Sequence, residues 1–308
     1  MQQIYDVLIL GGGAAGYTAA LYAARAGLRT VVLEKLSPGG QMATTDRVDN
    51  YPGFPDGIDG FTLGMQMQAG AEKYGAKTEY TEILSASLAD TIKEVMTDMG
   101  TFWAKTVVIA TGASPKKLGL AEEEALTGKG VHYCAHCDGR FYKDKIAVVV
   151  GGGNSAVSDA LYLAHLCKKV YLVHRRDSLR ATKIYHDQLA KTENLEILWN
   201  SRVKTLLHDD RVKGVVLERL PDQSERELRC DGVFISIGRT PDTLLFAKEV
   251  SLDENGYVLA GEDTQTNLQG VFAAGDVRTK ALRQIITAAS DGAVAATMAQ
   301  EYVIENPV

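Results

Sequence analysis

Two cysteines separated by two residues carry the clearest chemistry in this sequence. Cys134 and Cys137 form a C-x-x-C motif, a spacing at which two thiols can close a small disulfide and the pKa of one thiol can fall. The chain has four cysteines in 308 residues, too few for a disulfide-stapled scaffold. The pair therefore predicts a redox dithiol that takes up and passes on two electrons.

Two other interpretations of the pair remain open. A structural zinc site needs about four ligands, and here only His132 and His136 lie nearby, crowded into the same short segment as the cysteines. Alternatively, both thiols are buried and inert. The other two cysteines, Cys167 and Cys230, are expected to be structural.

A glycine-rich loop near the start of the chain predicts a dinucleotide site. Gly11-x-Gly13-x-x-Gly16 follows an apolar run and precedes a helical pattern. The first glycine permits a tight turn, the second lets backbone approach a pyrophosphate, and the third allows the helix to pack on the strand. Glu34 closes the next strand, about 20 residues on, where a carboxylate can bind a ribose hydroxyl.

A second loop repeats the first, since residues 146–174 align without gaps on residues 6–34. Its glycine positions are Gly151, Gly153 and Ala156, and His174 stands where the first copy has Glu34. The basic residues that follow are Arg175, Arg176 and Arg180. Loss of the carboxylate and gain of guanidinium groups suit a 2′-phosphate, so this site is expected to prefer NADPH.

The repeat predicts an α/β fold of two Rossmann-like, three-layer nucleotide-binding domains, one inserted in the other. The likeness recurs where residues 107–115 match residues 233–241. After the second copy only a short strand and a helical stretch remain, so the tail is expected to complete the first domain. The first predicted domain comprises residues 1–113 with 244–308, and the second, which carries the C-x-x-C, comprises residues 117–240.

Composition excludes several classes of protein. Lys and Arg number 33 against 39 Asp and Glu, a net charge of −6, so no basic surplus favours nucleic acid or an anionic membrane. No apolar run approaches the ~18 residues that span a bilayer, and residues 7–15 lack the cationic lead-in of a signal peptide. A soluble, cytoplasmic protein is expected.

Eight stretches of the sequence together resemble the bacterial-type, low-molecular-weight thioredoxin reductases. They are GGGAAG (11–16), GGQMATTDRVDNYPGF (39–54), ATGA (110–113), CAHCDG (134–139), GGGNSA (151–156), HRRDSLRA (174–181), AAGDV (273–277) and RQIITAASDGAVAA (283–296). The likeness covers nearly the whole chain. It implies FAD in the first domain, NADPH in the second, a redox-active disulfide, thioredoxin as substrate and a homodimer.

The resemblance also assigns cofactor contacts to individual residues. Those expected to bind FAD are Gly11, Gly13, Gly16, Glu34, Gln41, Asn50, Gly112, Asp276, Arg283 and Gln284. Those expected to bind NADPH are Gly151, Gly153, Asn154, Ser155, Ala156, His174, Arg175, Arg176 and Arg180. No metal is expected.

The same resemblance assigns the dithiol chemistry. Cys137 would face the flavin, Cys134 would attack the disulfide of the substrate, and Asp138 would handle the thiol proton. His136 departs from many relatives, which carry an uncharged residue there. The family rotates one domain against the other, and the connections that carry Pro115 and Pro241 are the expected hinge.

Three other functions compete with this one. The chain could reduce a peroxiredoxin or a glutaredoxin-like protein, although peroxiredoxin-linked relatives carry an extra N-terminal domain. It could be a ferredoxin-driven flavin reductase, although such relatives lose the basic cluster that begins at His174. A non-enzymatic flavin sensor would need no hydride donor, and here the second glycine loop is intact.

Overall fold

The computed structural model describes residues 3–45 and 47–307. Within them the chain divides into two compact units, one formed by Met1–Ser114 with Thr240–Val308 and the other by Pro115–Arg239. The first unit is therefore discontinuous in sequence. Among the described residues, no helix has the length and apolarity that crossing a membrane requires.

The strands and helices follow in chain order. The strands are β1 Ile4–Leu10, β2 Thr30–Glu34, β3 Lys77–Tyr80, β4 Ile83–Ser87, β5 Lys93–Thr97, β6 Gly100–Ile109, β7 Ala113–Pro115, β8 Val131–His132, β9 Ile146–Val150, β10 Lys169–Val173, β11 Leu195–Leu198, β12 Ser201–His208, β13 Val212–Arg219, β14 Glu225–Arg229, β15 Gly232–Ile235, β16 Arg239–Pro241 and β17 Val271–Ala273. The α-helices are α1 Ala14–Arg25, α2 Gly60–Glu72, α3 Ala135–Asp138, α4 Asn154–Ala164, α5 Ile184–Lys191 and α6 Ile285–Glu305, and the 3₁₀ helices are Gly40–Thr44, Gly139–Tyr142 and Gly275–Val277.

The first unit is built on a sheet in the order β3-β2-β1-β6-β5-β4. Strands β1, β2 and β3 pair in parallel, and β6 pairs in parallel with β1. The start of β6 pairs with β5 in antiparallel fashion, whereas its end pairs in parallel with β17. The tail of the chain therefore contributes β17 to the first sheet.

Small residues let α1 and α6 pack closely beside this sheet. A Cβ at Gly292 of α6 would lie 2.2 Å from the Ala15 carbonyl oxygen of α1. The central strands β1 and β6 are buried on both faces along residues 7–10 and 107–109, which explains why these stretches are continuous apolar runs rather than alternating ones. This packing carries the start of α6 toward the first glycine loop.

The second unit repeats the arrangement on a smaller scale. Its parallel sheet runs β11-β10-β9-β15-β8, and β12, β13 and β14 form a separate antiparallel sheet. The segment β9–α4–β10 is the counterpart of β1–α1–β2, so both βαβ units predicted from the repeat are present. The two connecting segments, β7 and β16, pair with each other as a two-stranded ladder.

Candidate functional site

The first glycine loop has the geometry of a phosphate cradle. Gly11 has φ +105°, and a Cβ there would lie 2.6 Å from the Ala110 carbonyl oxygen. A Cβ at Gly16 would lie 1.9 Å from the Gly11 carbonyl oxygen, so only glycine lets α1 start this close to the strand. At Gly13, by contrast, a Cβ would meet no described atom within 4 Å. The open space lies at the N-terminus of α1, where no described side chain caps the helix.

Glu34 is held against this loop at the end of β2. Its Oε2 accepts a hydrogen bond of 2.7 Å from the Gly12 amide, and its Oε1 accepts one of 3.0 Å from the Leu36 amide. Both carboxylate oxygens are thereby oriented by backbone. The sequence predicts a ribose ligand at this position, and the structure places a fixed acid beside the loop.

Two further segments predicted to contact FAD lie beside the first loop. The Gly39 amide donates to the Gly12 carbonyl at 2.8 Å, which brings the 3₁₀ helix that contains Gln41 next to the loop. A Cβ at Gly275 would lie 2.9 Å from the Ala15 Cβ, so the segment that contains Asp276 passes the start of α1.

The remaining predicted FAD residues lie in segments that are hydrogen-bonded to other predicted FAD segments. The Gln41 side-chain amide donates to the Ala113 carbonyl, beside Gly112. The Asn50 side-chain amide donates to the Gln284 Oε1 at 3.0 Å, at the start of α6. Arg283 stacks 4.0 Å above the Tyr257 ring.

A buried ion cluster under the Asp276 segment was missed by the sequence analysis. Asp291 accepts hydrogen bonds from Arg278 at 2.7 and 2.8 Å, from Lys280 at 2.7 Å and from the Gly275 amide at 2.9 Å. Burial raises the pKa of Asp291, but the hydrogen bonds from Arg278, Lys280 and Gly275 outweigh burial and hold that pKa below its usual value. The available signal was that Asp291 is the one charged residue among the mostly small and apolar residues 285–300, the first part of α6.

The second loop has the same open space at its helix. Gly151 has φ +155°, and its Cβ would lie 2.4 Å from the Ser236 carbonyl oxygen, whereas a Cβ at Gly153 would meet no described atom within 4 Å. Ala156 takes the place of the third glycine and is fully buried. The exposed Ser155 follows Asn154, whose Oδ1 accepts a hydrogen bond of 2.9 Å from the Thr182 amide.

The residues after β10 divide into a buried histidine and exposed arginines. A Cβ at Gly152 would lie 2.1 Å from the His174 ring, whose Nε2 is 3.0 Å from the Ser178 carbonyl oxygen. Burial lowers the pKa of His174. Arg175, Arg176 and Arg180 are exposed, and the Arg180 amide donates to the Gly152 carbonyl at 2.8 Å. The backbone at Arg180 is therefore held against the loop, and the imidazole of His174 lies beside Gly152.

Both loops fit the diphosphate of a dinucleotide. Each leaves open space at its second glycine, and each helix begins with backbone amides that no described side chain caps. Such amides and the positive end of the helix dipole bind phosphate.

The C-x-x-C cysteines are bonded to each other. Cys134 and Cys137 form a disulfide with a Cα–Cα distance of 5.3 Å, half-buried at the start of α3. The Cys137 amide lies 3.2 Å from the Cys134 sulfur. The bond supports the dithiol interpretation over the zinc alternative, and the described residues contain no group of three His, Cys, Asp or Glu side chains arranged to bind a metal.

The other two cysteines are buried free thiols. Burial raises the pKa of Cys167 to about 11 and that of Cys230 to about 12. Because the thiolate is the reactive form, we expect these two thiols to react slowly near neutral pH.

Asp138, the predicted acid–base residue, directly follows the disulfide and has a partner that the sequence analysis did not assign. Its Oδ2 lies 2.9 Å from the Nδ1 of His132, and the Nε2 of His132 lies 2.6 Å from the Tyr142 hydroxyl. The exposed His136 instead places its ring centroid 4.3 Å from that of Tyr162.

Two glycine loops of the dinucleotide-binding type and the disulfide between Cys134 and Cys137 define an oxidoreductase of the pyridine nucleotide and disulfide class. The chain matches the pyridine nucleotide-disulphide oxidoreductase family over residues 5–292, and it belongs to that family.

Relatives that match over nearly their whole length show which members of this family the chain resembles. The thioredoxin reductase of Listeria monocytogenes is 47% identical over 99% of this chain and 95% of its own length, and that of Treponema pallidum is 41% identical over 98% of each chain. The crystal structure of thioredoxin reductase from Streptococcus pyogenes matches with a TM-score of 0.91 at 41% identity, covering 99% of this chain and all of that one. The predicted family resemblance, the Rossmann-like fold and the oxidoreductase class are confirmed.

Proposed function

We propose that this protein uses NADPH to reduce the disulfide of thioredoxin, through FAD and the Cys134–Cys137 pair. The observation that carries the proposal is the disulfide between Cys134 and Cys137, in the same compact unit as the second glycine loop. The family and the full-length relatives named thioredoxin reductase support it.

The first glycine loop is the proposed FAD site. The uncapped amides of α1 face the pyrophosphate and Glu34 binds the adenosine ribose. The rest of FAD is bound by the segments that contain the other predicted contacts, which are Gln41, Asn50, Gly112, Asp276, Arg283 and Gln284. Two observations support these assignments. The segments of Gly39 and Gly275 pass beside this loop, and Asn50 is hydrogen-bonded to Gln284.

The second loop is the proposed NADPH site. The amides that begin α4, at Asn154 and Ser155, face the pyrophosphate, and the guanidinium groups of Arg175, Arg176 and Arg180 bind the 2′-phosphate. His174 takes a supporting role, because its buried ring is packed on Gly152 and hydrogen-bonded to the Ser178 carbonyl.

FAD and NADPH, held at the two glycine loops, would supply hydride transfer and the two electrons that reduce the cysteine disulfide. The Cys134–Cys137 bond then breaks to give two thiolates, and Asp138 gives its proton to one of them. The Cys134 thiolate attacks the substrate disulfide, which forms a mixed disulfide and releases one substrate thiolate. Asp138 takes the proton back from Cys137, and the Cys137 thiolate then attacks the Cys134 sulfur, which re-forms the original bond and releases the second substrate thiolate.

A direct assay tests the proposal. The purified yellow protein is mixed with NADPH and with oxidised thioredoxin, a glutaredoxin-like protein or a peroxiredoxin, and the new thiols are counted. We expect rapid anaerobic bleaching of the flavin by NADPH and fastest reduction of thioredoxin. Bleaching without thioredoxin reduction would favour another disulfide protein, and bleaching by reduced ferredoxin but not NADPH would favour the ferredoxin-driven class. A protein that neither donor bleaches would favour the sensor.

We also propose a homodimer in the cytoplasm. The family resemblance supports the dimer, and the composition of the chain supports the compartment. Analytical ultracentrifugation and cell fractionation test the two statements separately.

A further inference from the structure

The acid–base residue Asp138 is the half-buried first member of a chain of three polar side chains, of which the other two are buried. Asp138 Oδ2 is 2.9 Å from His132 Nδ1, and His132 Nε2 is 2.6 Å from the Tyr142 hydroxyl. Asp138 is tied to the cysteines through its own amide, which donates to the Cys134 carbonyl at 3.1 Å. The two ring nitrogens of His132 are therefore both hydrogen-bonded, one to Asp138 and the other to Tyr142.

Aromatic packing fixes the imidazole in this position. His132 is 7% exposed and Tyr142 is 2% exposed. The His132 ring is stacked on Phe234 at 5.1 Å and meets the edge of Tyr142 at 5.1 Å, while Phe234 and Tyr142 meet edge to face at 5.2 Å. A rotation of the ring would break two hydrogen bonds and this packing together.

The hydroxyl of Tyr142 faces the ring nitrogen of His132 that lies away from Asp138. Burial, opposed by Arg211, raises the pKa of Tyr142 to about 12, so the phenol keeps its proton. A phenol that donates to Nε2 leaves the proton of the neutral ring on Nδ1, where it faces Asp138. Besides Asp138, the charged groups that act on Tyr142 are Arg211 and Asp231, and the Lys145 ammonium lies 5.5 Å from the ring centroid.

We propose that His132 is a positioning residue for Asp138, whose Nδ1–H stabilises the carboxylate that remains when Asp138 gives its proton to a thiolate of the opened cysteine pair. In this step one O–H bond breaks and one S–H bond forms, and no electrons are transferred. Tyr142 holds His132 in the required tautomer. The inference rests on the role of Asp138 in the proposed function.

The test uses protein reduced with dithiothreitol, without NADPH or thioredoxin, so its outcome is independent of turnover. In a Cys167→Ser/Cys230→Ser background, the rate of alkylation by iodoacetamide is measured against pH. The inflection that disappears in Asp138→Asn is assigned to Asp138. We expect His132→Leu to move it upward by about one pH unit, since a hydrogen bond to the charged form is lost.

Matched variants separate the hydrogen bond from the packing. His132→Asn keeps an N–H donor near the position of Nδ1 and is expected to move the inflection less than His132→Leu. Tyr142→Phe keeps the ring and is expected to give an intermediate shift. His165→Leu replaces an exposed histidine whose Nδ1 lies near the Leu161 carbonyl, and it should change nothing.

A second measurement tests the proposal even when a His132 variant does not fold. In ¹⁵N-labelled wild-type protein, long-range proton–nitrogen correlation should show neutral His132 protonated at Nδ1, and Tyr142→Phe should reduce that preference. Protonation at Nε2 would overturn the proposal. So would the absence of an inflection that depends on Asp138, an unmoved inflection in His132→Leu, or equal shifts in the Leu and Asn variants.

Discussion

The Asn50 side-chain amide donates a hydrogen bond of 3.0 Å to the Gln284 Oε1, which joins two residues 234 positions apart in the chain. Both are proposed FAD ligands. Asn50→Ala should therefore weaken FAD binding about tenfold, because one hydrogen bond and the orientation of Gln284 are lost together. Release of FAD fluorescence on dilution measures this. Asn306→Ala, at the exposed end of α6, is the control, and equal retention of FAD in both variants would contradict the prediction.

The Asp291 cluster should stabilise the first unit in a pH-dependent way. Asp291→Asn leaves the buried Arg278 without its charge partner and should lower the free energy of unfolding by about 3 kcal/mol near neutral pH. The pKa of Asp291 is lowered in the folded state, so its contribution is present above the unfolded value of about 3.9 and is lost as pH falls through the folded value.

Urea titration can follow that unit by itself. In a Trp199→Phe background, the fluorescence of Trp103 on β6 reports on the first unit. The difference between wild type and Asp291→Asn should shrink below pH 4. A difference that stays constant from pH 7 to pH 3 would show that the carboxylate charge is not the cause.

The exposed arginines after β10 should set the choice of coenzyme. Arg175→Ala and Arg176→Ala should each raise the KM for NADPH about 10- to 100-fold, because a charge-assisted hydrogen bond to the 2′-phosphate is lost. The KM for NADH should hardly change. Steady-state kinetics with both coenzymes checks this, with Arg226→Ala on β14 as a surface control. A parallel rise for NADPH and NADH would contradict the specific role.

The four cysteines should separate into two reactive and two silent thiols. Cys134→Ser and Cys137→Ser should each abolish reduction of thioredoxin, whereas Cys167→Ser and Cys230→Ser should keep it. At pH 8 the native reduced protein should take up two alkyl groups, since burial raises the pKa of Cys167 to about 11 and that of Cys230 to about 12. Mass spectrometry counts the labels, and a third rapid label would refute the assignment.

Spacing in the sequence predicts those parts of the site that depend on neighbouring residues. The turn at Gly11, the open approach at Gly13 and the disulfide of Cys134 follow from local patterns. Local pattern also predicts that residue 34 and residue 174 stand at the ends of equivalent strands.

Contacts between distant segments could not be predicted in this way. His132 meets Phe234 because β8 pairs with β15, about a hundred residues later. The pair of Asp291 and Arg278 spans 13 positions, from the end of the 3₁₀ helix Gly275–Val277 to α6, and depends on how the chain turns between them. The resemblance, and not the pattern, supplied Asn50 and Gln284.

Glu34 and His174 occupy equivalent positions, and each supports the middle glycine of its own loop: Glu34 accepts the Gly12 amide, and the His174 ring fills the space beside Gly152. After an ancestral duplication, both copies could thus inherit one phosphate-binding backbone unaltered. The two loops could then acquire different ligands by two changes: a different side chain at the end of the strand, and three arginines after that strand in the second copy. Replacing the corresponding turn of the first copy with residues 174–180 would be a minimal experiment to reproduce this change of ligand.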